Sequence, residues 1–232
     1  MALTPVLRIT NTSGTTLIDR TYSNTSLREK RAVTTDTLGD ECSYVDVVLD
    51  DCDDPEVAFR CETHGAAMLF MLASGTTRTV RMISNGPIGT TITVYHFDTP
   101  LPNASPSGAV LRVLAGDLIF DADNEYMDVV DFQEEIGASS AFSASYESGR
   151  LYAVAPGRAG YDTYAEPLGG TGSGGAPDVA VVQGAVGWKT PVGGIEQSNV
   201  IIFFTIFPGH SAPVVTPFSS SVEITVLDVT DL

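Results

Sequence analysis

The sequence has few basic residues. It contains 12 Lys+Arg against 29 Asp+Glu in 232 residues, which gives a formal charge of −17 and a pI of about 4.2. Lys30 and Lys189 are the only lysines, and the arginines are scattered. Binding to nucleic acid or to an anionic membrane surface needs clustered Lys and Arg. The composition therefore argues against both kinds of partner.

Long hydrophobic runs are also missing. The longest, VIIFFTIF at 200–207, is far shorter than the roughly 20 apolar residues that a membrane-spanning helix needs. We therefore expect a buried strand there and no membrane insertion. The opening residues, MALTPVLR, lack a basic start followed by an apolar stretch, which predicts no secretory signal.

Cysteine is scarce, with Cys42, Cys52 and Cys61 as its only positions. An odd number without a signal peptide argues against a disulfide framework. Because no CxxC pair is present, we interpret these residues as reduced, partly buried thiols. A zinc site formed by these thiols and His64 is the alternative, since Cys and His are the ligands of structural zinc sites.

Motifs typical of enzymes are not found. His64, His96 and His210 are far apart, and none lies in a GxSxG or HExxH pattern. The Gly-rich stretch at 168–177 has no Lys after its glycines and no following helix pattern, so it predicts a flexible loop rather than a phosphate-binding loop. We expect no enzymatic activity and no cofactor.

Two acidic segments could offer oxygen ligands to Ca²⁺. They lie at 46–56 and at 121–125, and neither has the residue spacing of an EF-hand loop. We interpret them as solvated acidic connections and predict no metal site, with calcium binding as the alternative.

In many segments apolar and polar residues alternate with a period of two, which indicates strands. In 90–97, Ile92, Val94 and His96 share one face, and in 222–229 apolar residues alternate with Glu223 and Thr225. Similar β-rich runs lie at 7–10, 44–49, 79–83, 111–120, 127–132, 151–154, 179–187 and 200–207. The segment HGAAMLFMLA at 64–73 fits a buried helix or a core strand, and a strand is favoured.

This density of strands predicts an all-β fold with two β-sandwich-like domains and little helix. We place an N-terminal β domain at 1–100 and a C-terminal β-sandwich domain at 108–232, which meet at the Pro- and Ser-rich segment 100–108. A weak internal repeat supports two hairpins: LRI at 7–9 and LRV at 111–113 are each followed by a Gly and, five residues after it, by an Asp. In this alignment the first hairpin has two more residues in its turn.

Aromatic side chains cluster in sequence around the Gly-rich stretch. Tyr152, Tyr161, Tyr164 and Trp188 have the composition of a carbohydrate- or protein-recognition surface. The favoured interpretation makes Trp188 a partly buried residue of the sandwich. The alternative is that these four residues mark an exposed binding loop at 155–191.

The C-terminal part resembles small tail proteins of tailed bacteriophages. The resemblance covers 94–232 and rests on VYHFDTP at 94–100, GAVLRV at 108–113, GDLIFD at 116–121, YMDVVDF at 126–132, YAV at 152–154 and ITVLDVT at 224–230. In that family a vYvFd.P strand precedes a GLrVfdasGnlvFDS hairpin and a ymrVvDf strand. Residues 1–93 match only through the repeated hairpin.

The resemblance implies a non-enzymatic minor tail protein at the tail tip or baseplate of a virion, made in the host cytoplasm. It also implies other tail proteins as partners, and a homo-oligomer, because tails have closed rotational symmetry. A module that binds a host-surface receptor or glycan, or a capsid decoration protein, is the alternative. The resemblance transfers no catalytic residue.

Overall fold

All regular structure in the described part of the chain is β-strand. The computed structural model describes residues 8–10, 16–19, 25–100, 110–112, 118–121, 124–137, 141–158, 160–171, 177–207, 218–219 and 221–232. No helix capable of crossing a membrane occurs among these residues. The strands are β1 Arg8–Thr10, β2 Thr16–Asp19, β3 Ser26–Thr34, β4 Thr37–Leu38, β5 Ser43–Leu49, β6 Glu56–Arg60, β7 Ala66–Ser74, β8 Thr77–Ser84, β9 Thr91–Asp98, β10 Val110–Arg112, β11 Leu118–Asp121, β12 Asp128–Gly137, β13 Ser143–Ser145, β14 Tyr152–Arg158, β15 Tyr161–Thr171, β16 Pro177–Lys189, β17 Gly194–Phe207, β18 Phe218–Ser219 and β19 Ser221–Asp228.

Two large antiparallel sheets form the body of the protein, which confirms the predicted all-β, sandwich-like fold. The first has six strands in the order β12-β19-β14-β6-β9-β3. The second has seven strands in the order β13-β17-β16-β7-β8-β5-β4; β15 pairs with β16 outside this order, and β18 pairs with β15. Two small hairpins, β1-β2 and β10-β11, stand apart from these sheets.

Each half of the chain contributes equivalent strands to the six-stranded sheet. We call β3–β9 the N-terminal half and β12–β19 the C-terminal half. In the N-terminal half β3 lies at an edge of the sheet, β9 lies beside it, and β6 follows. In the C-terminal half β12 lies at the other edge, β19 lies beside it, and β14 follows. The registers agree, with Ser26↔Asp98, Leu27↔Phe97 and Glu29↔His96 in one half and Asp128↔Asp228, Val129↔Leu227 and Asp131↔Val226 in the other.

The equivalence extends to irregularities. Both edge strands carry a register shift after their second pair, so Arg28 and Val130 occupy the same bulged position. The hairpins β1-β2 and β10-β11 also share a register shift before their third pair, and their connections are of equal length. The predicted repeat is therefore present, but the two-residue difference in turn length is wrong.

The two halves meet along continuous sheets. In the six-stranded sheet Phe59 of β6 pairs with Val154 of β14, and in the other sheet Ala66 of β7 pairs with Trp188 of β16. A Cβ atom on Gly187 would lie 3.0 Å from the carbonyl oxygen of Ala66, so only glycine allows this close approach without a shift. The sheets therefore cross the boundary between the halves by backbone pairing.

A single apolar core between the sheets includes residues from both halves. It contains Val47, Met82 and Phe59 of the N-terminal half and Trp188 and Ile224 of the C-terminal half. A second cluster, with Tyr95, Phe97 and Leu227 among its members, covers the opposite face of the six-stranded sheet. This double cover explains why β9 and β19 are buried on both faces near their ends.

Strand pairing shows the secondary structure of three segments, 64–73, 168–177 and 200–207. The segment 64–73 is confirmed as a strand by β7, but its expected place in the core is wrong towards its end, because Met71 and Leu72 are exposed. The expected buried strand at 200–207 is also a strand, within β17, but Ile201, Phe204 and Ile206 are exposed. The expected flexible loop at 168–177 is partly wrong, because Leu168 and Thr171 still pair with β16. Its central residues 172–176, like most of the 100–108 connection, lie outside the described residues.

Candidate functional site

The structure buries two of the four aromatic residues considered for a binding loop. Trp188 is only 1% exposed and packs edge-to-face against Phe142, with ring centroids 6.0 Å apart. Tyr152 is equally buried and lies against Tyr146, 4.9 Å between centroids. Both rings belong to the core in this structure, so neither offers a face to a ligand.

The segment 155–191 consists mainly of strands instead of a loop. Strands β15 and β16 pair along most of their length, which orders the backbone around the Gly-rich stretch. Tyr161 is half-buried and its hydroxyl donates to the carbonyl oxygen of Leu69 at 2.8 Å. Tyr164 lies on β15 opposite Val182, and its side chain is outside the described residues.

Several carboxylates of the acidic segment 46–56 are bonded to neighbouring side chains of the protein. Asp46 forms a bidentate ion pair with Arg81, with bonds of 2.7 and 2.6 Å. Asp50 accepts a hydrogen bond from Thr77, and Asp53 accepts one from Thr99. Within the described residues, these carboxylates do not form a group with metal-ligand spacing. The second acidic segment, 121–125, lies partly outside the described residues.

All three cysteines are free and buried, as the preferred interpretation of the sequence stated. His64 does not join them in a ligand group within the described part of the chain. Its ring instead bonds the Thr63 hydroxyl at 2.9 Å. Cys52 has other neighbours, since its Sγ atom lies 3.7 Å from Nε2 of His96.

Cys52, His96 and Asp98 form a buried cluster beneath the β5–β6 connection. Their side-chain ligand atoms all lie within 4.8 Å of one another, and Nε2 of His96 is 3.5 Å from Oδ2 of Asp98. His96 and Asp98 are two residues apart on β9, so they face the same side of the sheet. The sequence shows this H-x-D pair, but Cys52 is 44 positions away, and only folding brings it near.

Backbone amides hold the Asp98 carboxylate in place. It accepts hydrogen bonds from the N–H groups of Asp53, Asp54 and Thr99 at 2.8, 2.9 and 2.7 Å. Burial alone would raise the pKa of Asp98, but these bonds outweigh burial and lower its pKa. Burial lowers the pKa of His96 and raises that of Cys52, which favours a neutral imidazole and a neutral thiol.

This cluster is not arranged as a nucleophilic relay. In such a relay one imidazole nitrogen faces the nucleophile and the other faces the carboxylate. Here Nε2 of His96 contacts both Cys52 and Asp98. The raised pKa of the Cys52 thiol also disfavours the thiolate that nucleophilic attack requires.

The equivalent place in the C-terminal half has different chemistry. Asp228 occupies the position of Asp98, and Val226 that of His96. The Asp228 carboxylate bonds Arg150 at 2.5 Å and the hydroxyl and N–H of Thr230 at 2.6 and 3.0 Å. The C-terminal half therefore balances its buried aspartate with a guanidinium.

Acid is expected to weaken the fold through Asp228. Burial would raise the pKa of Asp228, but bonds from Thr230 and Arg150 outweigh it and hold the pKa below its ordinary 3.8. The stabilisation is complete above the unfolded-state pKa and is lost as the pH falls through the folded-state value. The urea midpoint should fall between about pH 5 and about pH 3, and less steeply for Asp228→Asn. Equal slopes for both proteins would contradict this.

The two edges of the six-stranded sheet differ in character. Edge strand β3 carries Arg28, Glu29, Lys30 and Arg31, and charged side chains, above all Lys, discourage edge-to-edge pairing. The other edge, β12, exposes Val129, Val130 and Phe132 by 50%, 46% and 51%. We call these three residues the β12 apolar edge. Val130 and Phe132 stand where the equivalent strand has Arg28 and Lys30.

An open cleft lies at the end of β6 and the start of β9. It has a volume of about 370 Å³ and is lined by Arg60, His64, Thr93 and residues 87–90 of the connection before β9. The size suits a small molecule. The Arg60 guanidinium is already paired with Glu62 at 2.9 Å, so its charge is partly neutralised before any ligand arrives.

No protein-family model, curated protein or solved structure matches this chain.

Proposed function

We propose that this protein is a non-enzymatic structural component of a bacteriophage virion, a minor tail protein at the tail tip or baseplate. It would be made in the host cytoplasm and act by assembling with copies of itself and with neighbouring tail proteins. The observation that carries this proposal is the β12 apolar edge. Among the described residues β12 pairs only with β19, so its outer edge offers backbone donors and acceptors to another chain, and its exposed apolar side chains add buried area.

The contrast between the two edges supports a docking role. Both edge strands have the same position and register in their halves, so the fold alone does not require apolar residues at 129–132. The outer edge of β3 carries charges, and among the described residues only its first ones are paired there: Ser26 bridges Tyr126, and the N–H of Leu27 donates to the carbonyl oxygen of Glu125. The exposed Val129, Val130 and Phe132 are therefore better explained by a surface that is covered in the assembled state.

The resemblance to phage tail proteins includes this strand. The family-like segment YMDVVDF at 126–132 contains all three residues of the β12 apolar edge. A net charge of −17 would keep free subunits mutually repelling until a complementary surface is met. Both facts are compatible with a subunit that is soluble before assembly.

Charging the β12 apolar edge should prevent self-association. The double variant Val130→Arg, Phe132→Lys copies the residues that occupy the equivalent positions on β3. Burial of one large apolar side chain contributes about 1.5–3 kcal/mol, so the loss of Phe132 alone should weaken association about ten- to a hundredfold. Light scattering of the full chain over a concentration series measures the mass.

Two exposed apolar residues away from this edge serve as controls. Leu38→Lys and Val192→Lys change side chains that are also exposed, and their assembly should equal that of the unaltered protein. A monomeric unaltered chain at every concentration, or equal dissociation of the control variants, would contradict assembly through β12.

The virion location has its own test. Mass spectrometry of purified tailed particles from the source should detect the chain, and antibodies against it should label one end of the tail. Detection only in capsids would favour the decoration alternative, and absence from the particles would contradict the proposal.

A further inference from the structure

We propose that Cys52, His96 and Asp98 form a structural zinc site. The three side chains offer sulfur, nitrogen and oxygen in one buried place, with all ligand atoms within 4.8 Å of one another. Thiolate, imidazole and carboxylate are the donors that Zn²⁺ accepts in proteins. Ca²⁺ and Mg²⁺ prefer oxygen ligands alone, so they fit this set poorly.

The distances between the side chains suit a tetrahedral zinc ion. Bonds of about 2.3 Å to sulfur and about 2.0–2.2 Å to nitrogen and oxygen place S and N about 3.6 Å apart and N and O about 3.4 Å apart. The observed separations are 3.7 Å from Cys52 to His96 and 3.5 Å from His96 to Asp98. These two edges of the tetrahedron therefore already have the length that the ion requires.

Charge balance also favours a bound cation. Two anionic ligands, the Cys52 thiolate and the Asp98 carboxylate, would together neutralise one Zn²⁺. In the C-terminal half, the equivalent Asp228 is neutralised by Arg150. Among the described residues, no Lys or Arg side chain bonds the Asp98 carboxylate. The nearby Arg28 guanidinium donates to the carbonyl oxygen of Thr99 instead. Hydrogen bonds alone compensate the burial of Asp98, and a metal ion would add the charged partner that Asp228 has in Arg150.

The surroundings resemble the outer shell of a metal site. Ligating carboxylates are usually oriented by hydrogen bonds from a second layer of groups. The N–H of Asp53 bonds Oδ2 of Asp98, and the N–H groups of Asp54 and Thr99 bond Oδ1. Oδ2 therefore keeps a second lone pair for a metal. Water or a nearby backbone carbonyl would supply the fourth ligand.

The location indicates what the ion would do. Cys52 lies in the connection from β5 to β6, where the chain passes from one large sheet to the other. His96 and Asp98 lie on β9 of the six-stranded sheet. On binding, the S–H bond of Cys52 breaks, its proton passes to solvent, and an S–Zn bond forms. The ion would thereby fasten the crossover connection to the sheet.

Cobalt is the probe for this site. The full chain, freed of metal by a chelator, should bind one Co²⁺ per chain with the thiolate-to-cobalt absorption band in the near ultraviolet, and Zn²⁺ should abolish that band by displacement. Cys52→Ser should lose the band. Cys42→Ser and Cys61→Ser, which change the other buried thiols, should keep it.

Thermodynamic linkage gives a second readout. Zn²⁺ at about 100 times its dissociation constant should reduce the ratio of unfolded to folded chain about a hundredfold. Asp98→Asn keeps an oxygen for the amide donors and His96→Gln keeps a polar side chain, so folded samples of either variant should bind Co²⁺ at least tenfold more weakly. Absence of a cobalt–thiolate band in the unaltered protein, or an unchanged band in folded Cys52→Ser, would overturn the proposal. Neither result depends on assembly through β12.

Discussion

Replacing Trp188 with alanine should destabilise the protein by about 3–5 kcal/mol, the range found when a large aromatic residue is removed from a core. Trp188 is fully buried, packs edge-to-face on Phe142, and lies where β16 of one half pairs with β7 of the other. The substitution therefore opens a cavity at the junction of the two halves. Urea denaturation followed by circular dichroism measures the effect, because the variant lacks the only tryptophan.

Val192 provides the matched control for this prediction. It lies close in sequence but is half-exposed in the turn between β16 and β17, so Val192→Ala should change stability by less than about 0.5 kcal/mol. A loss below about 1 kcal/mol for Trp188→Ala would show that the ring is not a central part of the core.

Replacing Asp98 with alanine should cost about 3 kcal/mol or more, measured with a chelator present so that no metal contributes. The substitution removes the acceptor of three backbone N–H groups, on Asp53, Asp54 and Thr99. Each polar group that is left without a partner in a buried place costs about 1–3 kcal/mol. The connection that contains Cys52 would lose its attachment to β9.

Asp54→Ala is the control for this loss. The Asp54 side chain is exposed, and only its backbone N–H takes part in the bonds to Asp98. Its variant should therefore keep nearly the full stability. Similar losses in Asp98→Ala and Asp54→Ala would mean that general acidity of the segment, and not the capping bonds, determines its stability.

The repeated architecture clarifies how one fold can carry two different sites. Equivalent positions hold Asp98 with His96 in one half and Asp228 with Val226 in the other. Equivalent edges hold Arg28 and Lys30 in one half and Val130 and Phe132 in the other. The strand register is the same at these positions, so the differences compared here are those of the side chains. The effect of a side chain in one half can therefore be compared with that of the residue at the equivalent position in the other half.

Much of the fold could be predicted because its signals are local. Alternation of apolar and polar residues predicted β9 and β19, since side chains alternate across a strand whatever its partners are. The spacing from Gly to Asp predicted both small hairpins. Strand β7 was harder to assign, because AAMLFMLAS has helix-forming residues, and pairing with β8 overrides that preference.

The sites were less accessible to sequence reasoning. The aromatic residues Tyr152 and Trp188 appeared suited to ligand binding, yet they occupy the core, because burial depends on which sheet covers a strand. The cysteines suggested a zinc site with His64, whereas folding brings Cys52 to His96 and Asp98. Residue type and spacing identified Cys52 as a possible ligand but could not supply its neighbours.

The sequence by itself determined the secondary structure class, the repeated hairpin and the acidic surface, because these follow from composition and from contacts between near neighbours. Only the tertiary structure decided strand order, the equivalence of the two halves, the exposed apolar edge at β12 and the buried cluster at Cys52. These features depend on contacts between residues far apart in the chain. Such contacts form only when entire sheets pair and pack, and no local pattern encodes which strand becomes an edge.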